Sequence, residues 1–328
     1  MSGVCHLSVL SRLYRALGAL VFGFLLAGQC VAQNFPSKPL KIITTTPGGI
    51  IDIVARQLAD KLAPALGKPV IVENKANAVI AMQAVAKSLA DGHSVAVASF
   101  AMLTVVPHMY EQSPYDPLKD FAPVILLYTA PLLFTAHPSL PVNSVPELIR
   151  LAKEQPGKLT YSSSGNGQPP HVYMELFKYR AGIDLLHVPY KGTAAALTGL
   201  IAGDVNLNME SASAVITHVK SGRIKALAVT GDKRMSSLPE VPTFAEAGVQ
   251  GISESWVGIV APAGTPRDIV LRLNQAFANA LESQDIKTNY EAAGRSIVAN
   301  SPEAFSAVIR DDVSKWGQVV SRIGMTPG

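Results

Sequence analysis

Three times along this chain a short apolar strand runs into a glycine turn and then a helix, and that repetition limits the folds open to it. The first unit is a strand over 40–46, the turn Pro47-Gly48-Gly49, and a helix carrying Ile51, Val54, Ala55, Leu58 and Leu62 on one face. Apolar spacings of three and four mark an amphipathic helix. The second unit is a strand over 159–163, the turn Ser164-Gly165-Asn166-Gly167, and a helix over 168–181 closed by Gly182. The third spans 186–205: a strand, the turn Tyr190-Lys191-Gly192, a helix opening at Thr193, and a further strand after Gly203. Such a turn leaves the first N–H groups of the helix unpaired at the positive end of its dipole, which suits an anion. Thr193 is placed to cap the third helix. All three turns are poor in charge and carry Gly, Ser or Thr, so a ligand would be held by amides and hydroxyls. Most strand–turn–helix units bind nothing, so the repetition carries the expectation, not any one turn.

Strand and helix patterns alternate through the chain, which predicts parallel sheets with helices on both faces, a doubly wound α/β fold. Ser144-Val145-Pro146-Glu147 and Thr243-Phe244-Ala245-Glu246 fit the capping box at helix starts. Thr265-Pro266 and Ser301-Pro302 place a capping side chain before a first-turn proline. Gly92, Gly182, Gly222 and Gly294 mark expected helix ends. A strand over 205–209 and a long last helix over 302–323 complete the pattern. Two stretches, 123–136 and 255–261, are apolar enough to be crossings between domains.

Residues 1–32 have the form of a secretory signal: Arg12 and Arg15, an apolar run over 16–27, and Cys30-Val31-Ala32 before a cleavage point after Ala32. The run is short for a spanning helix, which needs about 20 residues. A lipoprotein is the other alternative, but Gln29 stands where a lipobox wants a small residue. Both cysteines, Cys5 and Cys30, fall within this segment, so the exported chain would have no disulfide and no thiolate. Its net charge of about +2 is too balanced for a nucleic-acid binder, and no basic stripe with interleaved aromatics occurs.

At the first turn Pro47, Gly48, Gly49, Ile50, Ile51 and Asp52 are candidate ligand contacts, the glycines allowing close backbone approach. No Gly-Lys-Ser/Thr follows, so this is no phosphate loop. Asp52 either contacts ligand or caps the helix and positions the turn. Ser99, after a strand over 94–98, points at the same crevice, because ligands of open α/β sheets sit at the carboxyl ends of strands. Ser163, Ser164, Gly165 and Gly167 form a second candidate turn. His171 follows it and either donates to a carboxylate or lies on the surface. Tyr190, Gly192, Thr193 and Glu210 complete the rim, with Tyr190 a candidate pocket wall. The seven histidines show no metal spacing, and no Gly-x-Ser-x-Gly elbow occurs, so no cofactor or metal is expected and catalysis has little support.

Short motifs in order over about 290 residues resemble the Bug family, the TctC-like receptors of tripartite tricarboxylate transporters. They include 35–42 (Phe35-Pro36-Ser37-Lys38 onward), Pro47-Gly48-Gly49 with Asp52, 69–74 ending in Glu73-Asn74, Asp91-Gly92, 161–165, 187–192, 238–243 and 262–266. The resemblance implies a periplasmic binding protein of Venus-flytrap form. Two α/β domains would be joined by two hinge strands, the first over 33–131 plus 254–328 and the second, inserted, over 132–253. It implies a small organic carboxylate as ligand, a monomer, and delivery to a tripartite membrane transporter or to a sensor ectodomain. An exported enzyme acting on a carboxylate, or a degenerate receptor serving as an interaction protein, are the alternatives. The family usually has a third glycine and a threonine or serine where this chain has Ile50 and Ile51, and an aspartate where it has Gly199. Either the isoleucines admit a ligand with a larger apolar body and one carboxylate, or they face the core.

Overall fold

The computed structural model describes residues 35–326; the secretory signal expected over 1–32 lies outside them. In chain order the elements are β1 (Leu40–Thr44), α1 (Ile50–Leu66), β2 (Val70–Asn74), α2 (Ala78–Ala86), β3 (Ser94–Ser99), α3 (Phe100–Thr104) and β4 (Phe121–Ala130). Next come β5 (Leu132–Ala136), α4 (Val145–Glu154), β6 (Thr160–Ser163), α5 (Pro169–Ala181), β7 (Leu186–Pro189) and α6 (Thr193–Ala202). Then follow β8 (Leu207–Ser211), α7 (Ala212–Lys220), β9 (Lys225–Val229), β10 (Ser255–Pro262), α8 (Arg267–Leu281), α9 (Gln284–Ala292), β11 (Ser296–Ile297) and α10 (Pro302–Ile323).

They build two sheets, ordered β11-β4-β10-β3-β1-β2 and β7-β6-β8-β5-β9. Pro131 alone separates β4 in the first from β5 in the second, and the chain returns between β9 and β10. The sheets are mixed rather than purely parallel. Strands β1–β3 and β6–β8 run parallel within each sheet, while β4, β5, β9 and β10 form antiparallel pairs around the crossings. Register fixes which edges face each other. Ser99 lies beside Val257, and Ala130 beside Ser255, so the carboxyl ends of β1–β3 lie where the chain crosses. Ser211 lies beside Leu132, so the same holds for β6–β8. The turns after these strands therefore face the gap between the lobes.

Helix α1 buries Val54, Ala55, Leu58 and Leu62 completely and ends at Gly67, whose φ of 62° closes the last turn. Helix α10 packs on the first sheet, with Trp256 Nε1 donating to Asp312 Oδ2 at 2.6 Å. Its Trp316 also reaches the second lobe. Phe100, Tyr173 and Trp316 meet with ring centroids 5.1–5.5 Å apart, joining α3, α5 and α10 in one apolar cluster.

Several sequence expectations shift locally. Thr193 does not cap α6; Gly192 takes the cap position with a φ of 94°, which favours glycine. Thr265 donates its hydroxyl to Pro262 O at 2.7 Å, so Pro266 takes the cap of α8. The Thr243–Glu246 box forms with both its hydrogen bonds, but Gly248 ends the turn before a helix develops. Helix α2 ends at Ala86, well before Gly92. Strand β8 starts at Leu207, and Asn206 just before it accepts from Thr160 N through its side chain.

Candidate functional site

The turn after β1 is held by one carboxylate. Asp52, 3% exposed, accepts from Gly48 N at 2.9 Å and from Arg56 Nε at 3.0 Å on Oδ2. Its Oδ1 accepts from Asn74 Nδ2 at 2.7 Å. Asn74 also donates to Thr45 O at 2.7 Å and accepts from Arg56 at 3.0 Å, so the clamp closes on itself. Burial alone would push the Asp52 carboxyl up. Hydrogen bonds from Arg56, Gly48 and Asn74, with the Arg56 charge, outweigh it and hold the pKa at about 2. Both oxygens of Asp52 are thus engaged in positioning the turn. Asn74 and Arg56 were not among the sequence candidates; the signal available was Asn74 ending the strand parallel to β1, in register with Thr44.

The clamp leaves Pro47, Gly48 and Gly49 exposed, and no side chain caps α1 at Gly49. Ile50, the first helical residue, is 57% exposed, whereas Ile51 packs partly buried against a core cluster. At the end of β3, Ser99 caps the short α3 by accepting from Met102 N at 3.4 Å.

The turn after β6 is built without an ionised group at its centre. Ser163 is fully buried, and its Oγ lies 2.7 Å from His187 Nε2 and accepts from Gly165 N at 3.2 Å. Gly165 and Gly167 have φ of 132° and 71°. Gly167 N donates to His171 Nδ1 at 3.1 Å, which makes that nitrogen an acceptor. His171 stacks on His187 with centroids 4.1 Å apart and planes 9° apart, and His187 stacks on Tyr161 at 4.8 Å. Beneath them Tyr161 donates to Glu175, which also takes Lys178 Nζ at 2.8 Å. Burial, then the neighbouring His171, push His187 down to about 4 against the pull of Glu175. Burial lowers His171 too. His171 is half-buried, and its lowered pKa leaves the ring uncharged at neutral pH. The contact between Ser163 and His187 has the spacing of a nucleophile and base. Ser163 is fully buried and burial keeps the His187 ring neutral at neutral pH, and their contact braces the turn.

Backbone bonds join the neighbouring turns of this lobe: Tyr190 N to Ser163 O at 3.0 Å and Gly192 N to Ser164 O at 3.2 Å. Tyr190 lies on α6, and a Cβ at Gly199 would collide with its hydroxyl, which explains a glycine there. Glu210 is buried and accepts from Ser211 N at 2.9 Å. Burial raises its pKa, opposed by the Ser211 N–H and the Thr193 hydroxyl, so Thr193 and Glu210 lie together. The second-lobe candidates thus form one connected set. Across the gap, a Cβ at Gly167 would come within 3.0 Å of Met109 Cε, so the lobes approach each other there. Among the described residues no hydrogen bond joins the two sets of turns.

A separate cavity lies elsewhere. It measures about 890 Å³ and lies over β4 and β11, bounded by Thr129, Trp256, Glu254, Asp312, Lys315 and the 231–237 loop. No candidate residue lines it. Its acids outnumber its bases, and Lys315 and Arg234 are already paired with Asp312 and Glu246. Its lining does not make it an anion site, and the uncapped helix starts after β1 and β7, toward the other edge of each sheet, suit one better.

Two α/β lobes, two crossings and glycine turns facing one gap define a hinged, two-lobed solute-binding protein of the periplasmic type. The family model of the tripartite tricarboxylate transporter family receptors, TctC, matches residues 54–325, and the chain belongs to that family. It is 33% identical over 320 residues to the protein BugT of Bordetella pertussis, covering 96% of this chain and 98% of the relative. The Rhodopseudomonas palustris protein Rpa4515, solved with adipate, superposes with a TM-score of 0.73 at 34% identity, covering 90% of this chain and all of that one. MatC of the same organism, solved with bound malate, gives 0.72 at 29% identity over 87% of this chain and all of its own.

Proposed function

We propose that this protein is a periplasmic receptor that captures a small organic carboxylate between its lobes. The observation that carries this reading is the pair of helix starts α1 and α6, one from each lobe, opening at Gly49 and Gly192 with no side-chain cap. Helices α2, α4 and α10 satisfy a first-turn N–H with Asn77, Ser144 and Ser301, and α5, α7, α8 and α9 also start without a side-chain cap; α1 and α6 differ from these in opening directly from a glycine at a turn that faces the gap. At α1 and α6 those N–H groups stay open to a ligand, each helix contributing roughly half a positive charge. Relatives solved with adipate and malate support a carboxylate as the class.

In this reading Pro47, Gly48, Gly49, Ile50, Ser164, Gly165, Gly167, Gly192 and Thr193 border the ligand. Asp52, Ser163, His171, Tyr190 and Glu210 hold the turns that do so, and Ser99 shapes the wall between. The lobes are 33–131 plus 254–328, and 132–253, closing about the crossings at Pro131 and 230–254. The protein acts as a monomer that hands its ligand to the membrane subunits of a tripartite transporter or to a sensor ectodomain, and retains it unchanged. Thermal unfolding against a panel of carboxylates, amines and sugars tests this. A ligand at one hundred times its dissociation constant adds about 2.7 kcal/mol. A shift confined to carboxylates is expected; a response to amines or sugars alone, or conversion of a bound acid, would overturn the reading.

A further inference from the structure

The first turn of α1 is apolar on its solvent side. Ile50 and Ile53 are 57% and 45% exposed, although the same face continues as Arg56 and Asp60. Ile51, between them, packs toward the core, so the helix is amphipathic in the ordinary sense and its exposed isoleucines are not an overflow of a buried stripe. Side chains on a helix lean toward its N-terminus. Ile50, at the first position, therefore leans past the end of α1, beside the uncapped N–H groups of the turn that faces the gap. Ile80, in the first turn of α2, is likewise 45% exposed. Its segment is tied to the first turn by Thr46 Oγ1 donating to Ala76 O at 3.4 Å.

The charges around these turns are already matched. Arg56 is engaged by Asp52 and Asn74, Lys75 by Glu73, and Lys178 by Glu175. Among the described residues, the remaining cation beside a candidate turn is Lys191, which is exposed. The two helix starts, at roughly half a charge each, together neutralise one carboxylate, and beside Ile50 a second would find an apolar surface in place of a cation.

We propose that the ligand is a monocarboxylate with an apolar body, its carboxylate on the first-turn N–H groups and its body against Ile50. This rests on the receptor reading of the same site. Hexanoate and adipate, which match in length and differ only in the second carboxylate, are the decisive pair for titration calorimetry, with benzoate and malate beside them. Hexanoate or benzoate is expected to bind at least about tenfold tighter than adipate, a difference of about 1.4 kcal/mol. Ile50→Gly and, as a variant that keeps a β-branched residue at the helix start, Ile50→Thr should both shrink that preference. Tighter binding of adipate than of both monoacids, or a preference untouched by either variant, would overturn the inference and leave the receptor standing. Failure of every carboxylate to bind would overturn both.

Discussion

The turns after β1 and β6 do the same geometric task with opposite chemistry. Each ends a parallel strand, bends through glycines at positive φ and presents the start of a helix to the gap. The first is fixed by an ionised carboxylate shared among Gly48, Arg56 and Asn74. The second is fixed by a buried hydroxyl and two stacked neutral imidazoles. The difference teaches that local glycine geometry does not dictate how a turn is braced. A clamp that rests on charge fails when its acid is protonated, and one that rests on neutral rings fails when a ring becomes charged.

The largest effect should follow from Asp52→Ala, which removes three hydrogen bonds to a charged acceptor. A loss of about 2–3 kcal/mol is expected, measured by urea unfolding. An unchanged midpoint would show that the first turn does not depend on its carboxylate. Asn74→Ala should cost about 1–2 kcal/mol, because it opens the clamp but leaves Arg56 on Asp52. Ser163→Ala should cost about 1 kcal/mol, since it removes a neutral brace; a loss as large as that of Asp52→Ala would erase the contrast.

The pH dependence separates the two turns without mutation. Asp52 has a folded pKa of about 2, below its ordinary 3.8, so its contribution is complete above about pH 4 and is lost as pH falls toward 2. His187 has a folded pKa of about 4, below its ordinary 6.5. The unfolded chain binds its proton first, so that contribution is complete above about pH 6.5 and is lost as pH falls toward 4. Stability should therefore fall in two acid limbs, the milder first. Asp52→Asn should remove the lower limb, and His187→Gln the upper one. A single limb present in both variants would show that the turns are not braced independently. Titration of the imidazole resonances should place His187 near 4 and His171 below 6.5.

Much of the framework was legible from residues close together in the chain. Apolar spacing located α1, Ser301-Pro302 marked the start of α10, and Gly182 closed α5 where expected. The apolar stretch around Pro131 marked a crossing, because a run longer than one strand must continue into another sheet. The candidate turns were legible for the same reason, since a helix start after a glycine turn is written in a few consecutive residues. Helix caps were less reliable. Thr193 and Thr265 had the right chemistry one residue away from the right conformation, and the backbone, not the hydroxyl, chose the cap.

The sequence by itself determined the alternation of strands and helices, the glycine turns and the apolar faces, because each depends on neighbours within a turn or two. Tertiary structure decided what those turns rest on. Asn74 meets Asp52, His187 meets Ser163 and His171, and Trp316 meets Phe100 and Tyr173 only because sheet order and register bring distant segments together. It also decided that Ile50 faces solvent and Ile51 the core, since helical phase has no inward direction until the helix is laid on a sheet.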